Sequence, residues 1–422
     1  MWVVEMRDYP RGPTPGSPPK SQISILTDED HDGYFERSQV FADQLLFPTG
    51  LQFWNDGAFV TLAGSVMYLK DTTGDGQADY REVWYTGFAE RNPQLRANHP
   101  QLAADNYIYI ANGLRGGEIV DARSPQSSPV SIRSRDFRFD PLTRQFEAIS
   151  GTGQFGLTFD DDGNRFVCSN RNPAMHVVLE SRHIARNPSL QVAQVVHDVA
   201  NAGADSRVFP ITRSWTTSNL HAGQFTAACG VTCYRGSALS PEFYGNLFTC
   251  EPTGHLVHRE IVKAHGTTFD STPANRESEF LASRDEWFRP VNLHVGPDGA
   301  LYVIDMYRAV IEHPDWVPEE LRDRPDESYG TQHGRIYRIV SRRAAQQPSA
   351  VVTFTEVSTQ SLIKALSHPN VWQRETAARL LLERQDDSAA EALSEVVHRD
   401  TSPIARGHAI QLLAGMNALN AK

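Results

Sequence analysis

Five short apolar runs in this 422-residue chain each end on a carboxylate or an amide: Glu5, Asn112, Asn170, Glu251 and Asp305. Three more polar residues, His99, Gln154 and Arg289, stand just before such a run, and His221 lies a few residues upstream of another. Polar groups at the ends of buried strands are costly without partners. A convergent set of carboxylate and amide oxygens suits a hard cation such as Ca²⁺, a cofactor or a polar substrate, with His99 as general base. We therefore expect His99 and Asp305 to act in catalysis. Arg289, Gln154, Asn112, Asn170, Arg171, Glu251, Arg308 and His221 are expected to hold a cofactor, and Glu5 to join a metal. The competing reading is that such residues end strands and bond to their own turns, as Asn and Asp often do.

Two acidic loops add a second kind of chemistry. Asp28, Asp30, Asp32 and Glu36 occupy positions 1, 3, 5 and 9 of a calcium-loop pattern, with Gly33 at position 6. Asp71, Thr73, Asp75, Asp79 and Glu82 occupy positions 1, 3, 5, 9 and 12, with Gly76 at 6. Alternating oxygen ligands around a tight glycine turn are what Ca²⁺ coordination requires. The alternative is an ordinary Asp-Gly hairpin turn at a solvated edge. A bound ion here would be structural and away from the first set.

The elements that must carry these residues repeat. An apolar segment, a turn rich in Asp, Asn and Gly, and a β-branched or aromatic run recur as a hairpin. Copies turn at 55–57, 105–106, 162–163 and 298–299; a looser copy pairs 230–233 with 247–250, and 2–5 supplies the second half of a sixth. Six hairpins predict a mainly β fold, a six-bladed β-propeller over residues 1–343. The segments at 25–33 and 68–76 predict a shared outer hairpin in consecutive blades. In a propeller the start of each first strand and the end of each second strand lie on one face, so the entry and exit residues should meet at the mouth of the central channel. After a linker over 344–358, apolar residues three and four apart predict amphipathic helices over 359–422. They read as a partial HEAT-like repeat, short of the roughly three units that bury a continuous core.

Composition narrows the function. A net charge of −11 argues against nucleic acid as a partner, and no apolar run approaches the ~18 residues needed to span a bilayer. Four cysteines form neither a disulfide framework nor a zinc or haem-attachment pattern. Two buried thiols, or a Cys233–Cys250 bridge across a hairpin, are the readings for that pair. The chain opens directly on a strand, and its helical part is short, so we expect further sequence beyond both ends.

Several stretches resemble a bacterial family of membrane-bound dehydrogenases, in which a propeller precedes HEAT repeats and often a carboxyl-terminal cytochrome c. They are Trp2-Val3-Val4-Glu5-Met6 with Tyr9-Pro10, then 71–79, 248–259, Trp287-Phe288-Arg289-Pro290, 296–308 with Ile311-Glu312-His313-Pro314, and 334–339. The propeller is similar in turn to soluble glucose and sorbosone dehydrogenases, which oxidise sugars with pyrroloquinoline quinone held by Ca²⁺ at the channel mouth. The resemblance implies that His99 removes the substrate hydroxyl proton and Arg289 binds a cofactor carboxylate. An Arg-Asn pair of that group would fall at Thr152-Gly153, where neither side chain is present, and its next cofactor segment would fall at 170–173. It also implies a sugar or other small polar substrate, a cytochrome c electron acceptor, and export to the periplasm or cell envelope. The alternatives are a Ca²⁺-dependent lactonase-type hydrolase and a non-catalytic carbohydrate- or protein-binding propeller.

Overall fold

The computed structural model describes residues 1–30, 32–187, 189–212, 222–312, 329–346 and 354–419. Their strands form six antiparallel sheets, the blades of the expected propeller. Blade one holds β1 (Trp2–Glu5), β2 (Ser21–Thr27) and β3 (Arg37–Leu45), and blade two β4 (Gly50–Trp54), β5 (Gly57–Leu62), β6 (Ser65–Lys70) and β7 (Tyr80–Phe88). Blade three begins with β8 (Asn98–Leu102) and β9 (Ile108–Ala111). The chain then adds β10 (Gly117–Asp121) and β11 (Val130–Ser131) to the outer edge of blade two before returning as β12 (Asp136–Phe139) and β13 (Phe146–Ile149). Blade four comprises β14 (Leu157–Phe159), β15 (Arg165–Ser169), β16 (Asn172–Val177) and β17 (Val196–Asp198), with the short α1 (Ser181–Ile184) inserted. Blade five has β18 (Cys229–Cys233), β19 (Leu247–Glu251), β20 (Leu256–His265), β21 (Thr268–Pro273) and β22 (Leu281–Ala282). Blade six has β23 (Pro290–Val295), β24 (Leu301–Asp305) and β25 (Arg335–Ile339).

Period-two alternation sends one face of each strand to each neighbouring blade, so the core is a set of wedges between blades. Ile23 and Phe41 meet Val60 and Leu62, and Phe59 and Trp84 meet Phe137 and Phe139. Phe166 and Cys168 meet Val231 and Leu247, and Phe248 and Cys250 meet Leu293 and Val303. All four cysteines are buried free thiols. Cys250 pairs in register with Cys229, and Cys233 with Leu247, so the strands do not place Cys233 opposite Cys250.

The expected linker is in part helical, as α2 (Arg342–Gln346), and its residues 347–353 lie outside the described ones. Four helices follow where the periodicity predicts them: α3 (Thr359–Ala365), α4 (Val371–Arg384), α5 (Ala389–Arg399) and α6 (Pro403–Gly415). Ser358, Asn370 and Ser402 cap three of them, each accepting a hydrogen bond from a first-turn backbone N–H. These helices pack into the same apolar cluster as blades two and three.

The polar contacts of the helices show where they sit. Glu383 accepts from Asn55 N at 2.7 Å, Gln411 O from Asn106 Nδ2 at 2.6 Å, and Asp161 pairs with Arg374 at 2.6 Å. Arg235 pairs with Glu375 at 2.8 Å, and Asn370 and Gln373 donate to Pro297 O at 2.9 and 2.8 Å. Asn55, Asn106, Asp161, Arg235 and Pro297 belong to the inner hairpin turns of blades two to six. The helical segment therefore lies across the turn face of the propeller, opposite the face where inner strands enter.

Blade five also buries an ion triad. His258 Nδ1 lies 2.7 Å from Glu279 and Nε2 3.1 Å from Glu260, all three nearly inaccessible. Burial pulls the imidazole pKa down, but the two carboxylates outweigh it and raise it to about 9. A pKa raised on folding stabilises fully below the unfolded value of roughly 6.5 and is lost as pH climbs through 9. The melting temperature of the wild type should therefore fall between pH 6.5 and 9 more steeply than that of His258→Gln, as read by scanning calorimetry. Arg374→Met, which removes a buried partner of Asp161, should cost about 3 kcal/mol. A melting temperature equal to wild type would show that this ion pair does not fasten the helices to the blades.

Candidate functional site

Around the axis the inner strands touch one another at one level, and small residues make that contact. A Cβ on Gly50 would meet Pro100 Cδ at 2.7 Å and His99 N at 3.2 Å. One on Gly156 would lie 3.4 Å from Gly230 Cα and 3.6 Å from His99 Nδ1, and one on Gly230 only 2.7 Å from Asn292 Cα. Gly50, His99, Gly156, Gly230 and Asn292 thus form a continuous seam across blades two to six. At this level three inner strands carry register irregularities: between Asn98 and Gln101, Cys229 and Thr232, and Pro290 and Asn292. Bulges re-aim the side chains they carry.

His99 is the residue so re-aimed. Its φ of +55° lies in the left-handed region that a β-substituted residue adopts at a cost. The neighbouring Asn98 holds the backbone there by donating to Gln154 O at 2.7 Å and Arg96 O at 2.9 Å. Among the described residues neither imidazole nitrogen has a hydrogen-bond partner. Burial within the ring of blades, with His294 close by, pushes its pKa down to about 4, so the ring is a neutral base at pH 7. His294 lies on the innermost strand of blade six with its side chain exposed. Surrounding protein lowers its pKa, offset in part by Glu375 on the floor helix α4.

The exit residues differ in how far the protein already engages them. Glu251 accepts from the backbone N–H groups of Thr226, Ala227 and Thr253, and burial raises its pKa to about 7. Asn112 bonds to Ile132 O, Arg135 O and Leu114 N. Glu5 takes Arg7, Gln22 and Ser24; burial would raise its pKa, but these hydrogen bonds lower it. Asp305 Oδ1 accepts from Arg289 N at 2.7 Å and Tyr307 N at 2.8 Å, while Oδ2 is buried without a partner; burial raises this pKa. These side chains thus bond to neighbouring segments of the protein, several of them just ahead of an inner or adjacent strand, and Asp305 Oδ2 is the exception. Gln154 accepts from Asn170 N, and Asn170 itself is exposed.

The cations divide. Arg289 donates to three backbone carbonyls, Pro252, Arg308 and Ala309, at 3.0, 3.1 and 2.8 Å, so its fork is engaged by protein. Arg171 donates to Gln224 at 2.8 Å and keeps Nε buried without a partner. Arg308 has no hydrogen bond or ion pair to its guanidinium among the described residues, and its Nε is buried. His221 lies outside the described residues. Tyr9, Gln94 and His294 escaped the hairpin reading, because two sit in loops and one in the middle of an inner strand. Tyr9 donates to Ile311 O at 2.6 Å and accepts from Gln94 at 2.8 Å, tying together loops of blades one, three and six.

Of the two acidic loops only the first gathers its oxygens. Carboxylate atoms of Asp28, Asp30, Asp32 and Glu36 all lie within 4.8 Å of one another, the one group of this kind among the described residues. Asp28 Oδ1 is buried without a hydrogen-bond partner. In the second, Asp71 is closed by the N–H groups of Thr73, Gly74 and Gly76, and Asp79 by Thr72. Thr73 Oγ1 turns onto Asp71, and Asp75 accepts from Gln77 N. Glu82 is turned away to Arg123 at 2.7 Å and Arg144 at 3.2 Å.

No helix among the described residues is long and apolar enough to cross a membrane. No curated protein matches the sequence. Among solved structures, the quinone-bound aldose sugar dehydrogenase of Streptomyces coelicolor is similar over 80% of this chain and 98% of its own, at 13% identity and a TM-score of 0.41. The soluble aldose sugar dehydrogenase of Escherichia coli is similar over 72% and 96%, at 12% identity and a TM-score of 0.40. Residues 1–343 match the model of a family described as a domain of unknown function, DUF7133, and the chain belongs to that family.

Proposed function

We propose that the channel mouth is the reactive site of a quinoprotein-like sugar or alcohol dehydrogenase, in which His99 accepts the proton of a substrate hydroxyl. The observation that carries this reading is His99 itself. A non-glycine residue in a strained conformation, on a bulge, with both ring nitrogens unbonded and its neutral form favoured, is arranged for proton transfer rather than for packing. His294 stands close enough for its charge to be felt, and a positive charge there would disfavour protonation of His99.

A quinone of the pyrroloquinoline type would supply the two-electron acceptor when bound. The residues fit such a group in one respect that the fold does not otherwise require: Arg308 leaves a buried guanidinium nitrogen without a partner, suited to a carboxylate. Arg289 fits less well, its fork being filled by carbonyls, and Thr152-Gly153 offer no cation. Within this reading, electrons leave to a separate acceptor such as a cytochrome c, and the setting is the periplasm or cell envelope. The hydrolase alternative needs a cation among mouth carboxylates, whereas the protein already engages Glu5, Glu251 and one oxygen of Asp305.

Reconstitution with Ca²⁺ and pyrroloquinoline quinone should give dye reduction with one or more members of a sugar panel. His99→Gln should lower kcat by about 10² to 10⁴. The wild-type rate should hold down to about pH 5 and fall through an apparent pKa near 4, where the imidazole protonates. No turnover with any sugar, or a His99→Gln enzyme as fast as wild type, would defeat the assignment.

We further propose that the loop of Asp28, Asp30, Asp32 and Glu36 binds Ca²⁺ as a structural ion on the outer part of blade one. Calorimetric melting should rise with added Ca²⁺ and drop with chelator, as expected of any ligand that binds only the native state. Asp30→Asn with Asp32→Asn should abolish that response, whereas Asp71→Asn should leave it intact. A calcium response unchanged in the double variant would rule this loop out.

A further inference from the structure

Buried arginines in this protein are, with few exceptions, answered by partners. Arg165 meets Asp136 at 3.0 Å and Glu180 at 2.9 Å, Arg235 meets Asp161 and Glu375, and Arg289 meets its three carbonyls. Arg308 is the contrast. It is 8% exposed, and whereas Arg165 and Arg235 leave only Nε unbonded, no nitrogen of the Arg308 guanidinium binds a carboxylate or carbonyl among the described residues. A desolvated charge without a partner is among the more expensive features a fold can hold.

The backbone around it is fixed by its neighbours, so the unbonded guanidinium is not the accident of a loose loop. Arg308 N donates to Trp287 O at 3.0 Å, and its carbonyl accepts from Arg289 Nε at 3.1 Å. Tyr307 before it has φ +49°, and a Cβ on Gly330 would come within 3.1 Å of Arg308 Cα. Only glycine at 330 allows this approach. The buried Tyr9 hydroxyl, bonded to Ile311 O and Gln94, is near enough for its charge to act on Arg308. Arg308 follows the end of β24, on the face where the inner strands begin. In a chain of net charge −11 the overall field repels anions, so an anion held here must be held by a local group.

We propose that Arg308 is the receptor for a carboxylate at the channel mouth, carried either by a polycarboxylated quinone or by an acidic sugar such as a uronic acid. The planar guanidinium presents paired N–H donors in the geometry a carboxylate accepts, which a lysine ammonium does not reproduce. The inference rests on the mouth being the reactive site, and it specifies the charge of what binds there. Of the two arginines expected from the sequence to hold a cofactor, it gives the carboxylate to Arg308, because the fork of Arg289 is taken by carbonyls.

The test is binding, not turnover. Isothermal titration at low salt would follow pyrroloquinoline quinone, glucuronate and glucose into wild type, Arg308→Met and Arg308→Lys. Wild type should bind at least one of the two carboxylates, Arg308→Met should bind it at least tenfold more weakly, and Arg308→Lys should recover part of the loss. Glucose should not distinguish the three proteins. An effect confined to glucuronate assigns the carboxylate to the substrate, and one confined to the quinone assigns it to the cofactor. A second readout guards against a folding artefact: ligand-free Arg308→Met should melt at or above wild type, because it removes an unanswered buried charge. Carboxylate binding unchanged in Arg308→Met, no carboxylate binding by wild type, or a clear drop in ligand-free melting temperature would each overturn the proposal. Loss of dye reduction by His99→Gln would not rescue it, and absence of dye reduction would not by itself decide it.

Discussion

The close approach of five inner strands around one axis is the constraint on which the rest of this protein depends. Six wedge-shaped blades can converge only if their innermost strands carry little bulk where they meet, and Gly50, Gly156 and Gly230 provide that. The one large side chain on this seam is the imidazole of His99, and its backbone must take a left-handed turn on a bulged strand to fit. Strand geometry and candidate chemistry are therefore the same fact seen twice. A side chain at Gly230 would meet Asn292 at 2.7 Å and push blades five and six apart, and at Gly156 the positive φ of +110° would strain any other residue beside His99.

The other end of the channel is governed by charge instead of size. Asp161, at the tip of the blade-four hairpin, holds Arg374 of α4 and Arg235 of blade five at once, and Arg235 reaches on to Glu375. Hydrogen bonds at Asn55, Asn106 and Pro297 extend this contact to the turns of blades two, three and six, so the helices lie against the turn face of five blades. They share the apolar cluster of blades two and three, so they are part of what keeps the ring together.

Hairpin counting made the architecture legible in the sequence, since a turn rich in Asp, Asn and Gly between two apolar runs has few other outcomes. It also placed His99 at the start of an inner strand. The role of the exit residues was less legible. Glu251 and Asn112 have the right types and positions for a polar cup, yet an Asx-like turn uses those same types for its own backbone, and only hydrogen-bond partners separate the two uses. The acidic loops show a similar limit. Both fit the calcium pattern by spacing, but the pairing of Glu82 with Arg123 and Arg144 depends on β10 crossing to the edge of blade two, which no local pattern announces.

What distinguishes the candidate groups is therefore not their chemical type but what the fold leaves undone for them. At the strand exits Glu251 and Asn112 are answered by nearby backbone and Glu5 by neighbouring side chains, whereas Asp305 keeps one buried oxygen without a partner. Half-buried His99 and buried Arg308 stand at strand ends on the same face, and their side chains lack hydrogen-bond partners among the described residues. A fold that supplies partners to Arg165, Arg235 and Arg289 could have answered Arg308 with a single carboxylate and would have gained stability by doing so. Unsatisfied groups of this sort persist where a ligand completes them. In the proposed reading a neutral base and an open guanidinium at one mouth serve a hydroxyl to deprotonate and an anionic group to hold, whether one molecule or two carry them.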